Sequence, residues 1–158
     1  MKKLAFGVFV LALFSGCLKK KESTCNYDSC LDKAPASEIQ AVQDYLASQG
    51  ITNAQQHCSG IFYVIDNAGS GKQPTACSAV DVNYVGKLTN GNQFDAGTHY
   101  QNYLSGVIQG WANGVPLLKE GGVIHLYIPP SLGYGSQPYG PIPANSVLIF
   151  DITLNSVL

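Results

Sequence analysis

The run from Val80 to Asp95 constrains the fold more than any other part of the chain. Val80, Val82, Tyr84 and Leu88 fall on one face of an extended segment. Asn90-Gly91 follows, a strong two-residue hairpin signal, and leads into Gln93-Phe94-Asp95. A hairpin with one apolar face must bury that face against another layer. Further extended runs supply partners. Ile61, Tyr63 and Ile65 alternate with Phe62, Val64 and Asp66; Val123 to Ile128 runs up to Pro129-Pro130; Val147 to Leu154 closes the chain. Two segments read as helix. In the first, Ser37 is placed to cap, Ile39, Val42 and Leu46 recur at helical spacing, and Gly50 suits the stop. The second is short, Val107 to Gly114, and Pro116 cannot continue it. Residues 67–74 and 131–145 read as loops. The pattern predicts an antiparallel α+β domain preceded by one N-terminal helix, with no internal repeat.

The front of the chain reads as an export signal. Lys2 and Lys3 precede an apolar run, Leu4 to Phe14, too short for the roughly 20 residues of a membrane-spanning helix, so cleavage fits better than anchoring. Leu13-Phe14-Ser15-Gly16-Cys17 resembles a bacterial lipobox, with Phe14 where Leu is commoner. The resemblance implies a diacylglyceryl group on Cys17. Leu18 rather than Asp after it implies sorting to an outer membrane, with the domain facing the periplasm or the exterior. An ordinary secreted protein cut near Gly16 is the plainer alternative. Lys19, Lys20 and Lys21 form a basic patch that suits anionic head groups or a solvated linker. The expected organisation is 1–16 signal peptide, 17–36 lipidated Cys and flexible linker, 37–58 helix and connection, and 59–158 the folded domain.

Five cysteines leave one over once pairs are formed. With Cys17 assigned to lipid, Cys25, Cys30, Cys58 and Cys77 allow three pairings, and an oxidising compartment favours disulfides. Sequence proximity suggests Cys25–Cys30, and Cys58–Cys77 would then staple two neighbouring strands. A zinc site using His57 and these thiols is an alternative, weakened by the lack of a tight Cys-x-x-Cys pair.

The charge balance removes one function class. The formal net charge is -1, and all nine basic residues are lysines. Affinity for nucleic acid rests on neutralised phosphates, so no nucleic-acid partner is expected. Catalytic motifs of the usual kinds are missing: no nucleophile elbow, phosphate loop, paired metal histidines or dinucleotide fingerprint. His57, His99 and His125 are far apart in sequence. His125 lies within a strand and reads as structural, and His57 and Cys58, as neighbours on an extended chain, point to opposite faces. No metal and no cofactor is expected.

What remains is a set of aromatic residues where strands meet loops, and these segments carry a family resemblance. Val82-Asn83-Tyr84-Val85-Gly86-Lys87-Leu88 with Asn90-Gly91 and Phe94-Asp95, then Gly106-Val107-Ile108-Gln109-Gly110-Trp111 with Gly114-Val115, form two blocks. Ile128-Pro129-Pro130 with Gly133-Tyr134-Gly135, then Ile142-Pro143, Asn145 and Leu148-Ile149-Phe150-Asp151, form two more. In this order they resemble the FKBP-type peptidyl-prolyl cis-trans isomerases. The resemblance implies an antiparallel half-barrel sheet wrapped on a short helix, with a pocket between them. It implies Trp111 as pocket floor and Tyr84, Phe94 and Phe150 as walls. Val107 and Ile108 would lie on the rim, the Ile108 N–H facing a substrate carbonyl, with Ile142 in an overhanging loop. Tyr134 would offer its hydroxyl to a second carbonyl, and Asp95 would sit near the reacting amide. Where relatives commonly carry Phe, this chain has Asn102, and Tyr100 is the candidate to fill that wall. Ala144 replaces a Pro, and residues 137–141 are unusual.

The implied activity is isomerisation of X–Pro bonds in unfolded or newly exported polypeptides by a membrane-tethered monomer. The alternatives are a non-catalytic binder of proline-containing segments (a holdase) and a structural lipoprotein in which the barrel only packs.

Overall fold

The computed structural model describes residues 25–158. The expected signal peptide and lipidated Cys17, with the Lys19–Lys21 patch, lie outside the described residues. Helix α1 (Ala36–Ser48) precedes six strands: β1 (Gln55–Gln56), β2 (Phe62–Asn67), β3 (Ala79–Leu88), β4 (Gln93–Tyr103), β5 (Val123–Ile128) and β6 (Leu148–Val157). Helix α2 (Gln109–Gly114) falls between β4 and β5. The strands form one sheet in the order β1-β2-β5-β6-β3-β4, and every neighbouring pair is antiparallel.

Period-two alternation sorts the side chains between two layers. Val82, Ile124, Leu126, Phe150, Ile152 and Leu154 point to the concave face and close over Trp111, Val115 and Leu118. Helix α2 can lie this close because its β5-facing side is glycine. A Cβ on Gly110 would stand 2.5 Å from Ile128 Cδ1, and one on Gly114 would stand 2.5 Å from Leu126 Cδ2. On the other face, Val42 and Leu46 of α1 pack on Phe62, Tyr127, Val147 and Ile149. The apolar stripe of α1 is thus spent on the sheet of its own chain.

Two local expectations are corrected. Helix α1 starts at Ala36 behind Pro35 with no side-chain cap, so Ser37 lies inside the helix and does not cap it. A proline that cannot donate is itself a natural helix boundary. Its other end agrees with the reading: Gly50 takes φ +66°, donates to Ala47 O, and Ile51 N donates to Leu46 O, the paired bonds of a Schellman stop. The β3–β4 loop has three residues rather than two. Gly91 N donates to Leu88 O, Leu88 N donates to Asn92 O, and Gly91 at φ +83° supplies the left-handed residue of this longer turn.

The cysteine pairing also differs. The disulfides are Cys25–Cys77 and Cys30–Cys58, with Cα atoms 5.8 and 5.4 Å apart. The proposed Cys58–Cys77 staple fails because β5 and β6 lie between β2 and β3, so the strands that these cysteines precede are not neighbours. Instead the segment from Cys25 to Ala34 is a strap along α2, fastened at both ends. Between the fastenings, Tyr27 Oη donates to Asn113 Oδ1 at 2.7 Å and Gln109 Nε2 donates to Asp32 Oδ2 at 2.8 Å. Ala34 N donates to Ser59 O. No helix among the described residues is long and apolar enough to cross a membrane.

Candidate active site

The pocket opens between α2 and the concave sheet, a cavity of about 420 Å³ bordered by Tyr84, Asp95, Tyr100, Val107, Ile108, Trp111, Tyr134, Tyr139 and Phe150. Trp111, 4% exposed, sits at its base. Its indole meets Tyr84 edge-on at 5.0 Å and 80°, and Phe150 at 5.2 Å and 87°. Such T-shaped contacts set positive ring edges against negative faces and fix each ring by its neighbours. The indole N–H has no acceptor, and among the described residues it is the one buried side-chain N or O so left.

Two of the sequence-identified residues stand away from the cavity wall. Phe94 packs edge-on against Phe150 at 5.4 Å, behind it. Ile142 is buried in the core, under the loop that carries Tyr139. Tyr100, in contrast, stands in the wall, edge-on to Tyr84 at 5.5 Å and to Trp111 at 6.4 Å. Asn102 holds it there by donating from Nδ2 to Tyr100 Oη at 2.7 Å. The residue found where relatives carry Phe therefore anchors the ring that fills the space.

Asp95 has no arginine to pair with and is held by two donors. Tyr84 Oη donates to Asp95 Oδ2 at 2.8 Å, and Ala96 N donates to Asp95 Oδ1 at 2.9 Å. Burial, together with this carboxylate, holds the Tyr84 phenol well above its usual range, so the hydroxyl remains a donor. Val107 and Ile108 follow the 3₁₀ turn Leu104–Gly106. The Ile108 carbonyl starts α2, while its N–H makes no hydrogen bond within the described residues, and Ile108 borders the cavity. The Tyr134 phenol is raised by burial and by Tyr139, Asp95 and Tyr100, and is a neutral donor at pH 7.

Tyr139 escaped the sequence reading. It stacks on Tyr134 with ring centroids 4.4 Å apart and planes at 7°, yet is 60% exposed. A small hairpin presents it: Tyr139 N and Ile142 N each donate to the other's carbonyl at 2.9 Å, around Gly140 at φ +55°. The signal was the aromatic between Pro138 and Gly140 in the loop noted as unusual. His57 and Cys58 lie at the strap, away from the cavity lining.

The fold is thus a half-barrel sheet on a short helix, with an aromatic cavity at their junction that Ile108 and Tyr134 border. The comparisons name the family. Residues 70–155 match the model of the FKBP-type peptidyl-prolyl cis-trans isomerases, and the chain belongs to that family. It is 46% identical over 101 residues to the FKBP-type peptidyl-prolyl cis-trans isomerase FkpA of Buchnera aphidicola subsp. Schizaphis graminum, covering 61% of this chain and 40% of that one. The crystal structure of FkpA from Escherichia coli superposes with a TM-score of 0.69 at 35% identity, over 77% of this chain and 60% of that one. A peptidyl-prolyl cis-trans isomerase from Pseudomonas syringae pv. tomato gives 0.68 at 29% identity, over 79% of this chain and 97% of that one. The chain spans less than half the length of the curated relatives it matches.

Proposed function

We propose that this protein catalyses cis-trans isomerisation of X–Pro bonds in unfolded polypeptides, and that residues 59–158 are its isomerase domain. The observation that carries the reading is the cavity itself, where Trp111, Tyr84, Tyr100 and Phe150 enclose a space that Ile108 and Tyr134 also border. Rotation about a peptide bond costs about 18–20 kcal/mol because planarity carries resonance. The X–Pro isomers are close in energy yet exchange over tens of seconds or more. No bond has to break, so the task is to favour the twisted amide over the planar one. The twisted amide has lost charge separation, and a dry aromatic site disfavours the planar ground state relative to it. In this reading the proline ring lies on Trp111, Ile108 N–H and Tyr134 Oη hold the flanking carbonyls, and Asp95 faces the reacting amide. Phe94 supports Phe150 from behind, Ile142 carries the Tyr139 hairpin, and Val107 edges the rim. Each tenfold acceleration requires about 1.4 kcal/mol, within reach of a few such contacts.

The lipobox-like segment ending at Cys17 supports a lipid-anchored protein of the cell envelope that meets exported chains. Helix α1 spends its stripe on its own sheet, which supports a monomer. The test is a proline-isomerisation assay on the full chain carrying Cys17→Ser. Trp111→Ala and Asp95→Ala are expected to lower kcat/KM at least tenfold, about 1.4 kcal/mol. A folded wild-type chain no faster than buffer defeats the isomerase reading, and protection of unfolded chains in its place points to a holdase. Fatty-acid labelling lost on Cys17→Ser tests the anchor.

A further inference from the structure

We infer that Asp81 is a positioning residue for the pocket: its buried carboxylate pins a bulge in β4 that brings Asp95 and Tyr100 onto the same face. The inference rests on the isomerase reading and extends it to a residue outside the cavity lining. Asp81 lies on β3 and is 6% exposed.

The bulge follows from the register. Gly97 of β4 faces Tyr84 and Tyr100 faces Val82, so Thr98 and His99 together stand opposite Asn83 alone. Facing residues of an antiparallel pair share a side of the sheet. Gly97 and Tyr100 therefore both point to the concave side, with Tyr84 and Val82. The contacts agree: a Cβ on Gly97 would stand 2.7 Å from Tyr84 Cε1, and the Tyr100 ring meets Tyr84 and Trp111. On an unbroken strand, residues an odd number of positions apart point to opposite sides. Asp95 would then face the cavity and Tyr100 would face away. Both border the cavity because the extra residue falls between them.

The two ends of β4 do not fix where that extra residue sits. One end is set by the turn in which Leu88 N donates to Asn92 O, the other by Leu104, which is 1% exposed and donates its N–H to Ser78 O. Between them a bulge can slide, and a slide past Tyr100 turns that ring to the outer side. Asp81 supplies the stop. Both ladders of β3 slip beside it: β4 carries its extra residue at Thr98–His99, and β6 carries Asn155 between Leu154, which faces Val82, and Ser156, which faces Asp81. Side chains from both bulges turn to the carboxylate. Asn155 Nδ2 donates to Asp81 Oδ1 at 2.7 Å, Gln101 Nε2 donates to Oδ2 at 3.0 Å, and His99 Nδ1 lies 3.2 Å from Oδ1. Asn155 Nδ2 also lies 3.0 Å from Asn83 Oδ1, which accepts from His99 N at 2.9 Å. His99 itself is at φ +51°, a left-handed conformation that a side-chain-bearing residue keeps only where its surroundings over-determine it. Hydrogen bonds from Asn155 and Gln101, and then His99, outweigh burial and hold the Asp81 carboxyl below the usual range, so it is a charged acceptor at pH 7.

The experiment compares three forms of the full chain with Cys17→Ser: Asp81→Asn, deletion of His99, and both together. Asp81→Asn keeps the shape of the side chain and sets an amide among donors. It is expected to lower kcat/KM about threefold to tenfold. Trp111, the one tryptophan of the chain, should emit at longer wavelength and be quenched more readily by acrylamide as Tyr100 leaves it. Hydrogen exchange should quicken across residues 97–103. Deleting His99 makes the ladder regular with Tyr100 still opposite Val82, so no extra residue remains to be pinned. In that background Asp81→Asn should leave kcat/KM and Trp111 emission unmoved, even if the unfolding temperature falls. If Asp81→Asn does not fold, Asn83→Ala, which frees the His99 N–H, is read in the same way. Unmoved emission and exchange in a folded variant overturn the inference, and so does an effect that persists in full once His99 is deleted. The fluorescence and exchange measurements need no turnover, so a chain inactive toward X–Pro bonds defeats the isomerase reading and still tests the bulge.

Discussion

Asp95 lies in a chain without arginine, so its carboxylate is oriented only by the Tyr84 hydroxyl and the Ala96 amide. Removing that hydroxyl tests whether orientation matters apart from charge. Tyr84→Phe keeps the ring on Trp111 and removes one charge-assisted hydrogen bond, worth about 1.5–3 kcal/mol in general. Because Asp95 is exposed and water replaces the lost donor, the expected fall in kcat/KM is nearer fivefold, about 1 kcal/mol, with unfolding unchanged. Tyr139 gives a second test. If its ring holds the Tyr134 hydroxyl in place, Tyr139→Ala lowers kcat/KM several-fold and Tyr139→Phe restores it. In a Tyr134→Phe background, Tyr139→Ala should then add nothing; a persisting effect would mean that Tyr139 touches the substrate itself. Trp111, Tyr84 and Phe150 were legible because each lies in an ordered block of fixed spacing. Tyr139 was not, because its position depends on a four-residue hairpin closed by Gly140 and on a stack across sequence.

At the scale of elements, strands were readable from alternation, since one face of each meets the core. Pairing between distant elements was not. The order β2-β5-β6-β3 arises from connections that no local pattern announces, and both disulfides depend on it. They close separations of 52 and 28 residues. In the chain-entropy account each removes about 3–4 kcal/mol from the unfolded state. Cys25→Ser with Cys77→Ser is therefore expected to lower the urea-unfolding free energy by about 2–4 kcal/mol, and a loss under 1 kcal/mol would show that the strap is held by its hydrogen bonds. The outer sheet face makes a pH prediction. His125 of β5 bridges Asp66 of β2 at 2.8 Å and Asp151 of β6 at 2.6 Å, and Lys87 of β3 also binds Asp151 at 2.8 Å. Burial works against the His125 cation, but the two carboxylates outweigh it and raise its pKa above 6.5. Its contribution is complete below about pH 6.5 and fades as pH rises through the raised value. Burial works against Asp151 too, but Lys87 and His125 hold it below the usual range, so its contribution fades only as pH falls through that lowered value. The difference in stability between wild type and His125→Gln should shrink from pH 6 to pH 9. A constant difference would leave packing as the whole role of His125. His57, lowered by burial, slopes the other way but is common to both chains.

For the whole molecule, the pocket depends on a helix too short to stand alone. Six residues are far below the length at which an isolated helix is stable, so α2 is placed entirely by its surroundings. One side rests its glycines on β5, a second buries Trp111 among rings from β3, β4 and β6, and a third carries Gln109 and Asn113 to the strap. The strap is the side that redox chemistry can release. Opening both disulfides leaves the sheet ladder and the α1 layer in place but frees the chain that covers Asn113, itself 4% exposed. Trp111 lies within the same turns, so a loosened α2 should blur the pocket before the fold fails. In a reduced chain kcat/KM is expected to fall roughly threefold to tenfold, about 0.7–1.4 kcal/mol. Far-UV circular dichroism should hold, and hydrogen exchange should quicken across residues 106–115. Tyr27→Phe, which removes only the bond to Asn113, should move oxidised protein the same way by a smaller amount, at most about 1 kcal/mol. Unchanged catalysis in reduced but folded protein would mean that β5 and the aromatic rings alone position Trp111, and that the strap serves stability without touching the site.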